Sequence, residues 1–293
     1  MTASALKCGT ALLALLLAIA GIEGARAEPV QLKPSLLHLN GNLELPPGKK
    51  LADGEVLLIV HGMLSHYGQE TIVALQKNLA QRGRATLAIN LSLGVDDRKG
   101  PRACDVLHDY AIAGARREVS NWIEWLYAQH VKGVDILGFS RGGAQVAAMG
   151  PELPTVRRMV LMAPSFATSA EIARAYEKTY GHPLAPQLEE ARKTPLRKFT
   201  ADYLNCKQAP VLGATLLDAY AELPPRISAR TGHPTLVVIA GKDETVVDLE
   251  AKLPTDVRKV TIDGASHYFP DLYGEEAADA IAKFLTREQT PAK

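Results

Sequence analysis

The residues Gly138-Phe139-Ser140-Arg141-Gly142 carry a serine between near-side-chain-free neighbours, in the G-x-S-x-G spacing of a nucleophile turn. The spacing has a physical reason. A serine on a tight strand-to-helix turn has a strained backbone, and Gly138 and Gly142 must be small for the turn to close. The hydroxyl then projects from the sheet edge. The next backbone N–H, that of Arg141, stands at a helix N-terminus, where it can stabilise an oxyanion. An ordinary glycine-rich turn would carry the same letters. The apolar run before it (134–137) and the small-residue helical stretch after it (143–149) are the context that the catalytic reading requires. A serine hydroxyl also needs a base, usually histidine, and the base needs a carboxylate to hold its tautomer. Asp243, in Gly241-Lys242-Asp243-Glu244, and His267, in Gly264-Ala265-Ser266-His267, are the candidates for those two roles. The alternative for Asp243 is a plain turn residue. Asp263 reads as a strand-end turn, and no carboxylate follows Ala163-Pro164-Ser165 before Glu171.

Apolar runs at 56–60, 86–89, 134–137, 158–162, 235–239 and 257–262 predict strands, the first a continuous run of the kind buried on both faces of a parallel sheet. Helical periodicity covers 69–81, 110–129 and 275–285. Near the start, Asn40-Gly41 between 35–39 and 42–45 predicts a hairpin turn. Between about 165 and 232 the alternation stops: two or three helical patterns are broken by prolines, and no strand is expected there. Strands alternating with helices imply an α/β fold, a doubly wound and mostly parallel sheet with a small helical insertion. In such sheets reactive groups gather at the carboxyl ends of the strands. His61, Ser140, Asp243 and His267 each lie just after a predicted strand.

With these motifs in place, the chain resembles the α/β-hydrolase superfamily over nearly all of its length after residue 27. Gly138-Phe139-Ser140-Arg141-Gly142-Gly143 is similar to the family's nucleophile elbow, His61-Gly62-Met63 to its His-Gly oxyanion loop, and Gly241-Lys242-Asp243 to its acid turn. Gly264-Ala265-Ser266-His267 is similar to its histidine loop, where a shorter Gly-His is common. The order Ser140, Asp243, His267 is the family's. The resemblance implies a serine hydrolase with catalytic Ser140, Asp243 and His267, and an oxyanion hole made by the N–H groups of Met63 and Arg141. It makes His61 and Gly62 structural parts of the oxyanion loop. It also divides the chain into core segments 28–164 and 233–293 around a cap, 165–232. A small-molecule carboxylic ester is the expected substrate. Peptidase or amidase chemistry is the alternative within the fold, and a non-catalytic binding module the alternative class. The Arg141 side chain either meets an acidic substrate group or is a solvated arginine at a helix start.

Residues 1–27 read as a secretory signal peptide: Lys7, an apolar run over 11–20, and a cleavage site at Ala25-Arg26-Ala27. The run is short for a membrane span, which needs about 20 residues, so no stable span is expected after cleavage; an uncleaved anchor is the alternative. Cleavage after Ala27 makes the protein periplasmic or secreted, and leaves equal numbers of acidic and basic residues, which gives nucleic acid nothing to bind. It also removes Cys8 and leaves Cys104 and Cys206. Cys104 ends the loop leaving the 86–89 strand, and Cys206 lies in the cap covering the same sheet edge. A disulfide between them is expected, with two buried free thiols as the alternative. No Cys-x-x-Cys, His-Glu-x-x-His or Gly-x-Gly-x-x-Gly occurs, so no metal or cofactor is implied.

Overall fold

Residues 56–60 divide their side chains between two cores. Val56, Leu58 and Val60 face the one that holds Trp122; Leu57 and Ile59 face the one that holds Ile72 and Ile281. Alternate side chains of a strand point to opposite faces, so a strand covered on both sides reads as an unbroken apolar run. The computed structural model describes residues 26–225, 227 and 233–286.

In chain order the strands are β1 (Arg26–Leu32), β2 (Leu39–Leu45), β3 (Glu55–Val60), β4 (Ala85–Ile89), β5 (Gly133–Phe139), β6 (Val156–Met162), β7 (Lys198–Tyr203), β8 (Cys206–Leu212), β9 (Thr235–Ala240) and β10 (Arg258–Ile262). Eight of them form one sheet, in the order β1-β2-β4-β3-β5-β6-β9-β10. From β4 to β10 all pairings are parallel; β2 runs antiparallel to β4, and β1 to β2. The doubly wound, mostly parallel sheet expected from the sequence is therefore present. Helices α1 (Glu70–Gln81) and α8 (Leu272–Thr286) cover one face through Ile72, Leu75, Leu79, Ile281 and Phe284. Helices α2 (Ile112–Ala128) and α3 (Arg141–Met149) cover the other through Val119, Trp122, Leu126, Val146 and Met149.

Two expectations are corrected. Asn40-Gly41 is not a turn but the interior of β2, paired with β1 on one side and β4 on the other. Gly41 is needed for packing: a Cβ there would lie 3.0 Å from Leu87 Cδ1 and 3.2 Å from Trp122 Cη2. The segment between β6 and β9 is not purely helical either. It carries α4 (Ser169–Tyr180), α5 (Ala185–Lys193) and α6 (Gly213–Ala219), but also the antiparallel hairpin β7-β8. These strands escape a pattern reading because each is apolar only in part, and Pro210 interrupts β8. The segment has its own core of Ala201, Tyr203, Cys206, Val211 and Leu216, into which Leu64 reaches from below.

The loop after β4 is fastened to this cap. Cys104 and Cys206 are joined by a disulfide. The His108 N–H donates to the Pro210 carbonyl (2.8 Å), and the Leu212 N–H to the His108 carbonyl (3.0 Å), extending the hairpin by one residue. The expected signal peptide lies outside the described residues except for Arg26 and Ala27, which open β1. Among the described residues no helix is long and apolar enough to cross a membrane.

Candidate active site

Ser140 occupies the turn between β5 and α3 with φ 55° and ψ −123°, a conformation that L side chains rarely adopt. The turn is held from three sides. The Ser140 N–H donates to the Met162 carbonyl of β6 (2.9 Å), and its carbonyl accepts from the N–H groups of Gly143 (2.9 Å) and Ser165 (3.1 Å). Gly138 and Gly142 are required by close approach. A Cβ on Gly138 would lie 2.4 Å from the Gly142 carbonyl oxygen, and one on Gly142 would lie 2.3 Å from that of His61.

His267 arrives on the loop after β10, and its Nε2 lies 2.9 Å from Ser140 Oγ. Its Nδ1 lies 2.9 Å from Asp243 Oδ2 and 3.1 Å from Oδ1. These partners assign the tautomer: Nδ1–H donates to the carboxylate, and Nε2 accepts from the serine hydroxyl. Asp243 stands in the turn after β9, where Oδ1 also accepts the N–H groups of Thr245 (2.8 Å) and Val246 (2.7 Å). Burial pushes its carboxyl pKa up, but the hydrogen bonds from His267 and the two amides outweigh that and hold it below the usual carboxylate value. The turn and the histidine loop are stitched together. Lys242 N–H donates to the Ala265 carbonyl (2.8 Å), and His267 N–H to Glu244 Oε2 (3.2 Å).

The loop of His61, Gly62 and Met63 has its own scaffold. His61 is buried; its Nδ1–H donates to the Gly62 carbonyl (2.8 Å). Its Nε2 accepts from Arg98 Nη2 (2.9 Å) and the Leu91 N–H (3.2 Å). Burial, and next the Arg98 charge, lower its pKa to about 3, so the ring is a neutral strut and moves no proton. Arg98 was not foreseen. It is buried and also donates to the carbonyls of Leu91, Ser65 and Gly100, tying the loop after β4 to the loop after β3. Glu118 of α2 was also missed; it accepts from the Ser92 N–H (2.7 Å) and hydroxyl (2.5 Å). A charged residue among Ala115, Val119 and Trp122 on an apolar helix face was the available signal for it.

Met63 and Arg141 both line a cavity of about 40 Å³ between core and cap. The Arg141 guanidinium is partly covered there, and Nη2 donates to the Ala219 carbonyl (2.8 Å). A wider hollow of about 970 Å³, beside Glu55, Arg84 and Arg157 at the amino ends of the strands, touches none of these residues. Among the described residues no cluster of three His, Cys, Asp or Glu side chains is placed to hold a metal ion.

Residues 57–284 match the model of a family described as the alpha/beta hydrolase family. The chain belongs to that family. This alpha/beta hydrolase superposes on Est1E from Butyrivibrio proteoclasticus with TM-score 0.60 at 20% identity, covering 89% of this chain and 97% of the other. A dienelactone hydrolase from Anabaena variabilis gives TM-score 0.53 at 20% identity over 89% and 97%. The Pyrococcus furiosus esterase Pf2001 gives 0.59 at 16% over 90% and 91%. At these identities the likeness to the three structures is one of fold. No curated protein matches the sequence of this alpha/beta hydrolase.

Proposed function

We propose that the protein is an exported serine hydrolase that cleaves carboxylic esters through an acyl-enzyme. One observation carries the reading: hydrogen bonds of 2.9 Å join Ser140 Oγ to His267 Nε2, and His267 Nδ1 to Asp243 Oδ2. Ser140 Oγ attacks the ester carbonyl carbon while His267 Nε2 takes its proton. The N–H groups of Met63 and Arg141 receive the carbonyl oxygen as it becomes negative. His267 then gives the proton to the leaving alcohol as the ester C–O bond breaks, and a water activated by the same ring releases the acid. Asp243 stays ionised throughout and stabilises the imidazolium. The Pyrococcus furiosus fold relative is an esterase by name, which favours an ester over an amide.

A fluorophosphonate probe tests the reading. It should label the protein at Ser140 and leave Ser140→Ala unlabelled and inactive; labelling elsewhere, or an active Ser140→Ala, ends it. Hydrolysis of aryl esters without hydrolysis of aminoacyl anilides separates the esterase from a peptidase. Export rests on the layout of residues 1–27, and a disulfide suits an oxidising compartment. Cleavage after Ala27 would leave Glu28–Leu32 paired with Leu39–Leu43. Amino-terminal sequencing of the exported protein should begin at Glu28.

A further inference from the structure

The cavity beside the oxyanion loop has a polarity that hydrolysis of a simple ester does not need. Its walls are mixed: Leu64, Leu91 and Leu93 from the core loops and Ala219 from the cap face Tyr110, Arg141, Gln145, Tyr203 and Asp218. Two of the hydrogen-bond donors among them are short of partners. The Arg141 guanidinium has five N–H groups, and a single bond, to the Ala219 carbonyl, engages it among the described residues. Tyr203 is 6% exposed, and its hydroxyl makes no hydrogen bond among the described residues. Both groups line the same cavity. The carboxylate whose field reaches Arg141, that of Asp218, is outside ion-pair distance, and its Oδ2 accepts the Ile112 N–H (2.9 Å). Asp218 also lines the cavity, yet one guanidinium N–H of five is engaged and the phenol hydroxyl is free among the described residues, and these remaining donors form an anion subsite.

The site's chemistry says which part of the substrate enters. His267 protonates the leaving alcohol, so the alcohol must lie beside His267. Neither Ser140 nor any residue of the Asp243 turn or the His267 loop lines the cavity, whereas Met63 and Arg141, the residues of the oxyanion hole and, in the case of Arg141, the neighbour of Ser140, do. The cavity therefore takes the acyl side. Its volume of about 40 Å³ admits only a short group.

Resting on the ester-hydrolase reading above, we propose that the Arg141 guanidinium and the Tyr203 hydroxyl bind a carboxylate at the end of a short acyl chain, so that the substrates are half-esters of short dicarboxylic acids. The chemistry is unchanged. The ester C–O bond breaks, the acyl group with its free carboxylate passes to Ser140, the alcohol leaves with the proton from His267, and water releases the dicarboxylate.

The test compares ethyl hydrogen succinate with ethyl butyrate, equal in acyl length and different in charge, by pH-stat on the full protein. Active sites are counted by fluorophosphonate titration, so a misfolded fraction does not enter. The wild type should favour the half-ester by at least about tenfold in kcat/KM, the scale of one hydrogen bond to a charged group, mainly through KM. Arg141→Met should bring the ratio to one or below, Arg141→Lys should restore part of it, and Tyr203→Phe should lower it a few-fold. A wild-type preference for ethyl butyrate overturns the inference and leaves the esterase standing; so does a ratio that neither Arg141→Met nor Tyr203→Phe moves. Absence of any probe labelling at Ser140 overturns the esterase reading and this inference with it.

Discussion

Asp243 does two things that an amide cannot do together: it accepts the His267 Nδ1–H and, with the same carboxylate, the two N–H groups of its own turn. An asparagine in its place keeps the shape but offers an NH₂ where the ring needs an acceptor, and a rotated ring tautomer no longer takes the serine proton. Asp243→Asn should therefore lose roughly a thousandfold or more in kcat, with little change in melting temperature. An Asp243→Asn enzyme with more than about a hundredth of the parent activity would move the acid elsewhere. Ser140 makes a second case, because its backbone carries a cost that its side chain cannot relieve. At φ 55° and ψ −123° alanine is as strained as serine, while glycine is at ease. Both substitutions abolish hydrolysis, but Ser140→Gly should melt above Ser140→Ala, by about 1 kcal/mol in stability. Equal melting would mean that the turn is not strained. The sequence pointed to Ser140, Asp243 and His267 because each stands a few residues after an apolar run, in a turn that contains glycine. Arg98 was not indicated, because its partners, the His61 ring and backbone carbonyls, are brought together by two loops and no spacing along the chain records that; Glu118 left only the signal of a charge on an apolar helix face.

At the scale of elements, the cap is attached to the core by specific fastenings. The loop after β4 carries Cys104 and His108, and β8 receives both. The hairpin that makes this possible was invisible in the sequence, since Lys198, Lys207, Gln208 and Pro210 break any apolar alternation. Asn40-Gly41 misled in the opposite sense. The dipeptide favours turns in isolation, but here Trp122 and Leu87 close over the missing side chain and hold it in a strand. The disulfide spans 102 residues of sequence. In the chain-entropy treatment, closing a loop of that length stabilises the fold by up to roughly 4–5 kcal/mol. Reduction, or Cys104→Ser with Cys206→Ser, should lower the melting temperature. It should also change hydrolysis of bulky esters more than that of acetate esters, because the bond restrains the element that covers the site. Intact-mass analysis of the unreduced protein after thiol alkylation should find neither cysteine modified; two alkylated cysteines would end the idea.

Across the whole molecule, the sheet has two ends with different electrostatics. The carboxyl ends hold Ser140, Asp243 and His267; the amino ends hold charges that the sheet buries. The alternation of the parallel strands β3 to β6, β9 and β10 with helices could be read from apolar runs, but these charges could not, because Asp135 sits inside a strand that otherwise reads as apolar. Asp135 of β5 is 1% exposed, with Arg158 Nη1 3.5 Å from Oδ2, while Arg158 also meets Glu55 (3.4 Å) and the Leu285 carbonyl (2.8 Å). Burial pushes the Asp135 carboxyl up to about 6, and the pull of Arg158 and Arg84 offsets that only in part. The unfolded chain holds the same proton with a pKa of about 3.9. The folded state therefore binds it more tightly, and the stability this gives is complete below about pH 4 and lost as the pH rises towards about 6. The shift corresponds to about 3 kcal/mol, an order-of-magnitude figure. Asp135→Asn cannot ionise, and at pH 4 the wild type presents Arg158 with an equally neutral neighbour. Whatever the substitution costs in packing is therefore the same at every pH, and only the ionisation differs. The melting temperature of Asp135→Asn minus that of the wild type should rise from pH 4 to pH 7 and level off above it. A difference that stays flat across that range would show that Asp135 does not titrate there.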